Sequence, residues 1–413
     1  MLHKIINEKY YCGLDVGAQK IKVAVLKTKD AQNIEVLGVY EQKTHGFKKG
    51  SVSDLGEFSE CISHALHSLL DKVGVKVKEV QLGLGGELVE AQTSSTVIPL
   101  VDKGTKIISS KDIKYVNEQA RLLSIKIDEE VLHDLPQQYL VDDVNSALNP
   151  QGLYARKLGV TSLMVMCHLT RMRNIIKAVN QAGYDVGSTA FSPLMAADVS
   201  LTDQERLEGC AVIDIGSEVS SILVFKDRVL KGFDKIACGG DTFTKAIAKD
   251  LNLPFGLAEE IKISYGDALG QDLYHDEEVL VKQDSTYIPV RREVIFNAIK
   301  PHTEMLVHDV QQSLIRAGVG DKVNNGIVVL GGGGLLPGLI EKISQSTNSK
   351  VRLGSINFAL QKQLRNAAVY SSAIGLAHHG FKQTFSYSLA TNQKGSKFKF
   401  FTNKVKDFYQ EYF

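Results

Sequence analysis

Two acid-turn-glycine units carry the most chemistry in this chain. Asp15 closes the run Tyr11-Cys12-Gly13-Leu14-Asp15-Val16-Gly17 and is followed by the apolar stretch Ile21 to Leu26. Asp214 closes Cys210-Ala211-Val212-Ile213-Asp214-Ile215-Gly216 and is followed by Val219 to Phe225. Each reads as a buried strand that delivers a carboxylate to its carboxyl end, with a glycine that lets backbone N–H groups approach a ligand. A third unit, Gly331-Gly332-Gly333-Gly334-Leu335-Leu336-Pro337-Gly338, follows an apolar strand. Taken alone, an Asp-x-Gly after a strand is more often a plain turn, and the glycine run is a tight strand-to-helix turn as often as a ligand loop. Together and in this order they suit an anionic polyphosphate, whose oxygens need the N–H groups of glycine turns and helix N-termini. Asp15 and Asp214 would then hold a hydrated Mg²⁺ between them, because magnesium keeps its waters and takes few direct protein ligands.

The elements around these units follow from periodicity. The repeat of strand, Asp-x-Gly and strand predicts two similar domains facing one cleft. Residues 10–40 read as three strands, Glu57 to Val73 as an amphipathic helix, and Val80 to Leu84 as a further strand. Residues 87–162 break the pattern. They read as an inserted α+β module with a helix from Lys111 and flanking strands, Gln92–Ile98, Val131–Leu135, Gln138–Val144 and Ala155–Thr161. Ser162 to Cys167 is then expected to be a strand of the first domain again, followed by helices from Arg171 and through Leu201. The second domain opens at about Glu208 and holds helices at Thr242–Leu251, Ala258–Tyr265, Lys300–Ala317 and Leu339–Ser346. The expected division is 1–86 and 163–207 for the first domain, 87–162 for the insertion, and 208–358 for the second domain. The second domain carries a small subdomain near 240–300. A return to the first domain follows at 359–381, then a polar linker at 382–396.

Totals exclude several classes. The chain has 413 residues, 44% hydrophobic and 23% charged, with a formal net charge of +1. That is ordinary for a globular protein with a normal core and gives no global field for nucleic acid. The five cysteines are far apart, and Cys12, Cys167 and Cys210 sit in apolar runs, so reduced core thiols of a cytosolic protein are expected. Met1 to Lys9 has no apolar h-region, so no secretory leader is expected, and no run is long and apolar enough to span a bilayer.

The end of the chain differs in character. Phe398, Phe401, Val405, Phe408, Tyr409 and Tyr412 recur at helical spacing, and lysines 394, 397, 399, 404 and 406 outnumber the acids 407 and 411. An aromatic face opposite a basic one, here including Lys404, is the pattern of a helix lying in a membrane interface. Each lysine near an anionic surface adds ~1 kcal/mol. The alternative is a helix docking on its own domain, against which the polar linker argues.

The order and spacing of the three glycine units resemble the actin-like ATPases, and the full pattern resembles the bacterial FtsA cell-division family. The most specific part is the inserted module, Val131-Leu132-His133-Asp134-Leu135-Pro136-Gln137-Gln138-Tyr139-Leu140-Val141-Asp142 and Asn149-Pro150-Gln151-Gly152-Leu153. Leu207 to Asp214, Glu259-Glu260-Ile261-Lys262 and Tyr265-Gly266 match in type. The resemblance implies an α/β, actin-like (duplicated ribonuclease-H-like) two-domain fold, with the insertion replacing the actin-type subdomain. It implies ATP and Mg²⁺ as ligands. Asp15, Gly17, Ala18, Gln19 and Lys20 would form the first phosphate loop, and Asp214, Gly216, Ser217 and Glu218 the second. Gly239, Gly240, Glu259, Lys262 and Gly331 to Gly334 (Gly332 and Gly333 between them) would surround the adenosine. Taken on residues alone, Glu259 and Lys262 read as a solvated i,i+3 pair. The family implies binding of the C-terminal tail of FtsZ near Arg291, Arg292, Lys300 and His302, which otherwise read as a solvated helix face. It also implies longitudinal self-association, a membrane-targeting helix at 397–413, and a location on the cytoplasmic face of the membrane at the division site.

Departures from the family pattern bear on activity. Ala18 and Gln19 stand where Ser or Thr usually follows the glycine, and Ser217-Glu218-Val219 stands where Gly-Gly-Thr is usual. A carboxylate at 218 is a like-charge contact with a polyphosphate. Ser192 stands before Pro193 where hydrolysing relatives place an acid or amide that orients water. Weakened or altered ATP binding and slow or absent hydrolysis are expected. The rivals are a PilM-like pilus-assembly scaffold and a small-molecule kinase of the same superfamily; the kinase lacks a convincing base among the cleft segments.

Overall fold

The computed structural model describes residues 8–29, 33–270, 277–283, 286–317, 323, 325–357, 364 and 366–392. The linker residues 393–396 and the aromatic, basic segment 397–413 lie outside them.

The first five-stranded sheet runs Ile34–Lys43, Lys20–Thr28, Lys9–Val16, Glu79–Leu84, Asp185–Phe191. The second runs Val229–Ile236, Ser220–Lys226, Cys210–Ile215, Ile327–Leu330, Val351–Leu353. Taken in chain order, both are 3-2-1-4-5. In each, the Asp-bearing first strand pairs antiparallel with the second and parallel with the fourth. Asp15 lies opposite Lys22 and beside Gly83; Asp214 lies opposite Ser221 and beside Leu330. These central strands are covered on both faces, which is why they read as unbroken apolar runs.

Helices cover the sheets in chain order: α1 Leu55–Val73, α2 Ser110–Ser124, α3 Leu169–Gln181, α4 Ser192–Ser200, α5 Asp203–Glu208, α6 Gly240–Asp250, α7 Phe255–Tyr265, α8 Arg292–Arg316, α9 Leu339–Thr347 and α10 Ala367–Asn392. Their ends obey local chemistry. Asp54 caps α1 by accepting from Glu57 N–H, and Gly74 closes it in the left-handed region. Capping boxes of Ser109 with Asp112 and of Thr202 with Glu205 start α2 and α5. One core joins the first sheet to α1, α3 and α4, and a second joins the other sheet to α6, α8 and α9. α10 closes the first domain from its other face: Ala373, Ile374, Ala377 and Phe381 pack on Ala24, Leu26 and Ile34. It comes so close that a Cβ at Gly13 would lie 2.0 Å from the Ala373 carbonyl oxygen. All five cysteines are buried free thiols. Among the described residues, no helix is long and apolar enough to cross a membrane.

Four expectations need correction. Ser162–Cys167 is not a separate strand of the first domain. It is the second half of Lys157–His168, which pairs with Val89–Pro99 and Glu129–Val141 in the insertion's own sheet. No turn residue interrupts that run, and its alternation serves two masters: Leu163, Val165 and Cys167 enter the first domain's core, while Met164 and Met166 enter the insertion's. Val131–Leu135 and Gln138–Val144 are likewise one strand, Glu129–Val141, with Pro136 and Gln137 accommodated at a bulge. The helix expected from Lys300 begins at Arg292 and carries Pro301 inside it, because burial of Ile295, Ala298 and Ile299 outweighs the proline. The polar linker expected from 382 does not begin there, since α10 runs on to Asn392. No glycine or proline stops it, and Phe381 packs edge-on against Tyr11 of the first sheet.

Candidate functional site

The two Asp-x-Gly hairpins face each other across a cavity of about 580 Å³ between the domains. The glycine run and the starts of α4, α6 and α10 complete the lining. Asp15, Gly17, Ala18, Gln19, Lys20, Asp214, Gly216, Ser217, Glu218, Gly240, Glu259, Lys262, Gly331, Gly332 and Gly333 all line it. Gly239 and Gly334 do not. They pack behind the site, Gly239 beneath the carbonyls of Gly216 and Ser217 and Gly334 against Val329, where a Cβ would collide.

Asp15 is gripped from two helices. Ser192 at the start of α4 donates to its Oδ1 at 2.7 Å, and Ser372 in the first turns of α10 donates to its Oδ2 at 2.5 Å. Gly83 on the neighbouring strand leaves room for this, since a Cβ there would sit 2.3 Å from the Ser192 hydroxyl. The first turn is closed by Gly17 N–H donating to the Lys20 carbonyl at 3.2 Å, and Thr44 Oγ1 donates to the Gly17 carbonyl. Lys20 pairs with Glu41 at the rim.

Asp214 lies in a different environment. Burial pushes its carboxyl up to about 6; Lys22 opposes the rise and Asp15 adds to it. Gly331 has φ +81°, and a Cβ there would lie 2.5 Å from Asp214 Oδ1, so both conformation and space require glycine.

The second turn is stitched to α6. Gly240 and Asp241 N–H donate to the carbonyls of Gly216 and Ser217 at 2.9 and 2.8 Å. Across the cleft, Gln19 Nε2 donates to Asp241 Oδ2 at 2.9 Å. The Glu218 carboxyl is raised mainly by burial and further by Asp241 and Glu87, against the backbone N–H of Lys49.

Glu259 and Lys262 are not a solvated pair. Lys262 Nζ is 2.6 Å from Glu259 Oε2, 2.9 Å from Thr244 Oγ1 and 3.0 Å from the Gly240 carbonyl, and its side chain is 12% exposed. It ties α7 to the start of α6 at the cavity wall.

No group of three or more His, Cys, Asp or Glu side chains among the described residues is arranged to hold a metal directly. The donor set that is present, two facing carboxylates of which one is desolvated, fits a cation held through water and ligand oxygens rather than in an all-protein cage.

The four basic residues of the second domain are less cationic as a group than their sequence suggests. Arg292 Nη1 is 2.9 Å from Glu277 Oε2, and Arg291 Nε is 3.8 Å from Glu278 Oε1. Lys300 lies over the Phe296 ring, and His302 is half-buried on α8. Beside them the hairpin Glu278–Gln283 with Thr286–Arg291 and the facing part of α8 expose Leu280, Tyr287, Ile288, Val294 and Met305. Sequence reasoning missed this apolar surface. It also missed Ser372, Lys22 and Asp241 in the cleft. Asp241, directly after Gly239-Gly240, was the one with a readable signal.

The chain is similar to known cell-division proteins. The family model "Cell division protein FtsA" matches residues 211–375, and "SHS2 domain inserted in FTSA" matches residues 86–166. The cell division protein FtsA of Buchnera aphidicola is 28% identical over 401 residues, 93% of this chain and 94% of that one. FtsA of Escherichia coli K12 is 28% identical over 387 residues, 91% of each. FtsA of Streptococcus pneumoniae is 29% identical over 365 residues, 88% of this chain and 78% of that one. Among solved structures, the PilM–PilN type IV pilus biogenesis complex superposes with TM-score 0.63 at 18% identity, covering 90% of this chain and 98% of that one. MreB5 of Spiroplasma citri bound to AMPPNP superposes with TM-score 0.51 at 12% identity, covering 93% and 98%. At those identities the structural likeness speaks for the fold alone. With two FtsA models and full-length FtsA relatives matching one chain, on an actin-like duplicated fold that carries the characteristic insertion, the chain belongs to the FtsA family of cell-division proteins.

Proposed function

We propose that this protein is a nucleotide-gated membrane adaptor of cell division. In this reading it binds ATP with Mg²⁺ in the interdomain cleft and self-associates into actin-like protofilaments. It holds the C-terminal tail of FtsZ on the second domain and sits on the cytoplasmic face of the membrane through residues 397–413. The observation that carries the reading is the cleft, where two symmetry-related Asp-x-Gly turns and a glycine run from different domains face one cavity. A ligand bridging those turns fixes the angle between the domains, and with it the surfaces offered to neighbours.

Asp15 and Asp214 would hold the cation, and its charge would favour the ionised form of a carboxylate that burial disfavours. Glu259, Lys262 and Gly240 would face the nucleoside, with Ile263 and Leu335 as its apolar bed. Hydrolysis is slow or absent in this reading. Ser192 gives its hydroxyl hydrogen to Asp15, and a serine so placed is a poor acceptor for a proton from water. For the FtsZ tail, the exposed Leu280, Tyr287 and Val294 beside Arg291, Arg292, Lys300 and His302 offer an apolar strip with basic edges.

Calorimetry with ATP·Mg²⁺ and with ADP·Mg²⁺ is the test of the cleft, and absence of heat with both at high protein concentration would refute it. Liposome co-sedimentation tests the anchor. Because α10 extends to Asn392, the chain should be truncated after that residue and not within the helix. Full-length protein should pellet with anionic vesicles and the truncated chain should stay in the supernatant; equal pelleting would sink the membrane role.

A further inference from the structure

We propose that Glu218 and Asp241 make the cleft select a nucleoside diphosphate over the triphosphate. The proposal rests on the nucleotide reading of the cleft and goes beyond it by naming which phosphate chain is held more weakly.

A nucleotide has one sensible direction here. The apolar lining, Ile263, Leu335 and Leu336, lies with the α7 and glycine-run side, and the two Asp-x-Gly turns supply the polar remainder. Base on the former and phosphates toward the latter puts the end of the phosphate chain at the tips of the turns. A terminal phosphate is a dianion that needs donors on most of its oxygens. The tip of the second turn presents the opposite. Glu218 faces the cavity there, and a carboxylate is an acceptor with no hydrogen to offer. Asp241, 6% exposed, takes the Gln19 amide, the side-chain donor that the first turn would otherwise offer. The first N–H groups of α6, at Gly240 and Asp241, are already given to the carbonyls of Gly216 and Ser217. Val219 carries no hydroxyl and Ala18 none on the facing turn.

The whole lining has the same bias. Seven carboxylates and three lysines line the cavity, and two of the lysines, Lys20 and Lys262, are paired with Glu41 and Glu259. Asp15 and Asp214 would hold a cation that offsets the inner phosphates, whereas Glu218 and Asp241 stand where a further phosphate would project. The hydrogen bond from Gln19 to Asp241 also crosses from one turn to the other side of the cleft there. Acceptors placed there weaken the longer phosphate chain more than the shorter one, and that difference is the specificity.

The test is calorimetry of the full chain with ADP and with the non-hydrolysed analogue AMPPNP, each with Mg²⁺. ADP should bind ~10-fold or more tightly than the triphosphate. Glu218→Gln, which keeps the size of the side chain but loses the charge, should shrink the ratio mostly by strengthening the triphosphate. Asp241→Asn should do the same to a smaller degree, and it tests the idea independently if Glu218→Gln disturbs folding. Triphosphate binding as tight as or tighter than ADP in the unaltered protein overturns the proposal while leaving the cleft a nucleotide site. A ratio unmoved by both substitutions overturns the assignment to these two acids. No binding of either nucleotide overturns the cleft reading itself.

Discussion

The two Asp-x-Gly hairpins share a backbone and differ in what surrounds the carboxylate. Asp15 has a hydroxyl on each oxygen, one from α4 and one from α10. Asp214 has Gly331 pressed against it and a carboxyl that burial raises to about 6. Duplication has thus produced one device with two uses. Asp15 is a knot joining strand, α4 and α10, and its charge is met by protein donors. Asp214 is a half-buried carboxylate on the cavity wall, its charge opposed by burial and only partly compensated by Lys22. The asymmetry also explains why the second turn tolerates Ser217-Glu218-Val219: that side of the cleft is arranged around acceptors.

The knot has a far end, and breaking it should give the largest effect. Further along α4, Asp198 lies 2.7 Å from Lys382 Nζ and 3.4 Å from His378 Nδ1 of α10, and 3.3 Å from Arg206 Nη2 of α5. Burial works against its charge, yet Lys382, His378 and Arg206 together hold its carboxyl well below the usual range. Asp198→Ala leaves buried cations without their partner and should cost ~3–5 kcal/mol in denaturant unfolding. A cost under ~1 kcal/mol would mean that α4 and α10 are held by apolar packing alone, and Asp15 with them.

Substituting the two acids themselves should have opposite signs. Asp15→Ala orphans the Ser192 and Ser372 hydroxyls and should destabilise by ~2–3 kcal/mol. Asp214→Asn should stabilise the ligand-free protein at neutral pH. The sign follows from linkage: a carboxyl whose pKa is raised in the folded state favours folding while protonated, and that advantage is lost as pH rises from about 4 to about 6. Thermal melts of Asp214→Asn and the unaltered protein should therefore diverge as pH rises through that window, with the variant melting higher at pH 7.5. The same variant should lose Mg²⁺-dependent nucleotide binding. Equal melting curves across the window would remove the distinction between the two hairpins.

Much of this was legible from the chain. The Asp-x-Gly repeat, the apolar strands behind it and the patterned insertion are local signals, and local signals survive in sequence. Three features were not. The edge strand Asp185–Phe191 is half-exposed along Asp185-Val186-Gly187-Ser188, so it has too little apolar alternation to read. Lys262 looks solvated because helical spacing says nothing about the Gly240 carbonyl and Thr244 that another helix places over it. Ser372 meets Asp15 across 357 positions, and no periodicity joins residues so far apart. The site was readable as a set of turns and unreadable as a set of hydrogen bonds.

The smallest effects should come from the rim, and they sharpen the same contrast. Lys20 follows the first turn and pairs with Glu41, but its side chain is 52% exposed. An exposed pair of this kind is screened by solvent and salt and contributes ~0–1 kcal/mol. Lys20→Gln should therefore leave unfolding in denaturant almost unchanged, while Ser372→Ala, which removes one of the two donors on Asp15, should cost ~1 kcal/mol. If Lys20 contacts a phosphate, its substitution should instead weaken nucleotide binding, most visibly at low salt where the charge is least screened. A stability loss from Lys20→Gln as large as that from Ser372→Ala would place the compensation of Asp15 at the rim and not in the helices, and the first hairpin would then resemble the second.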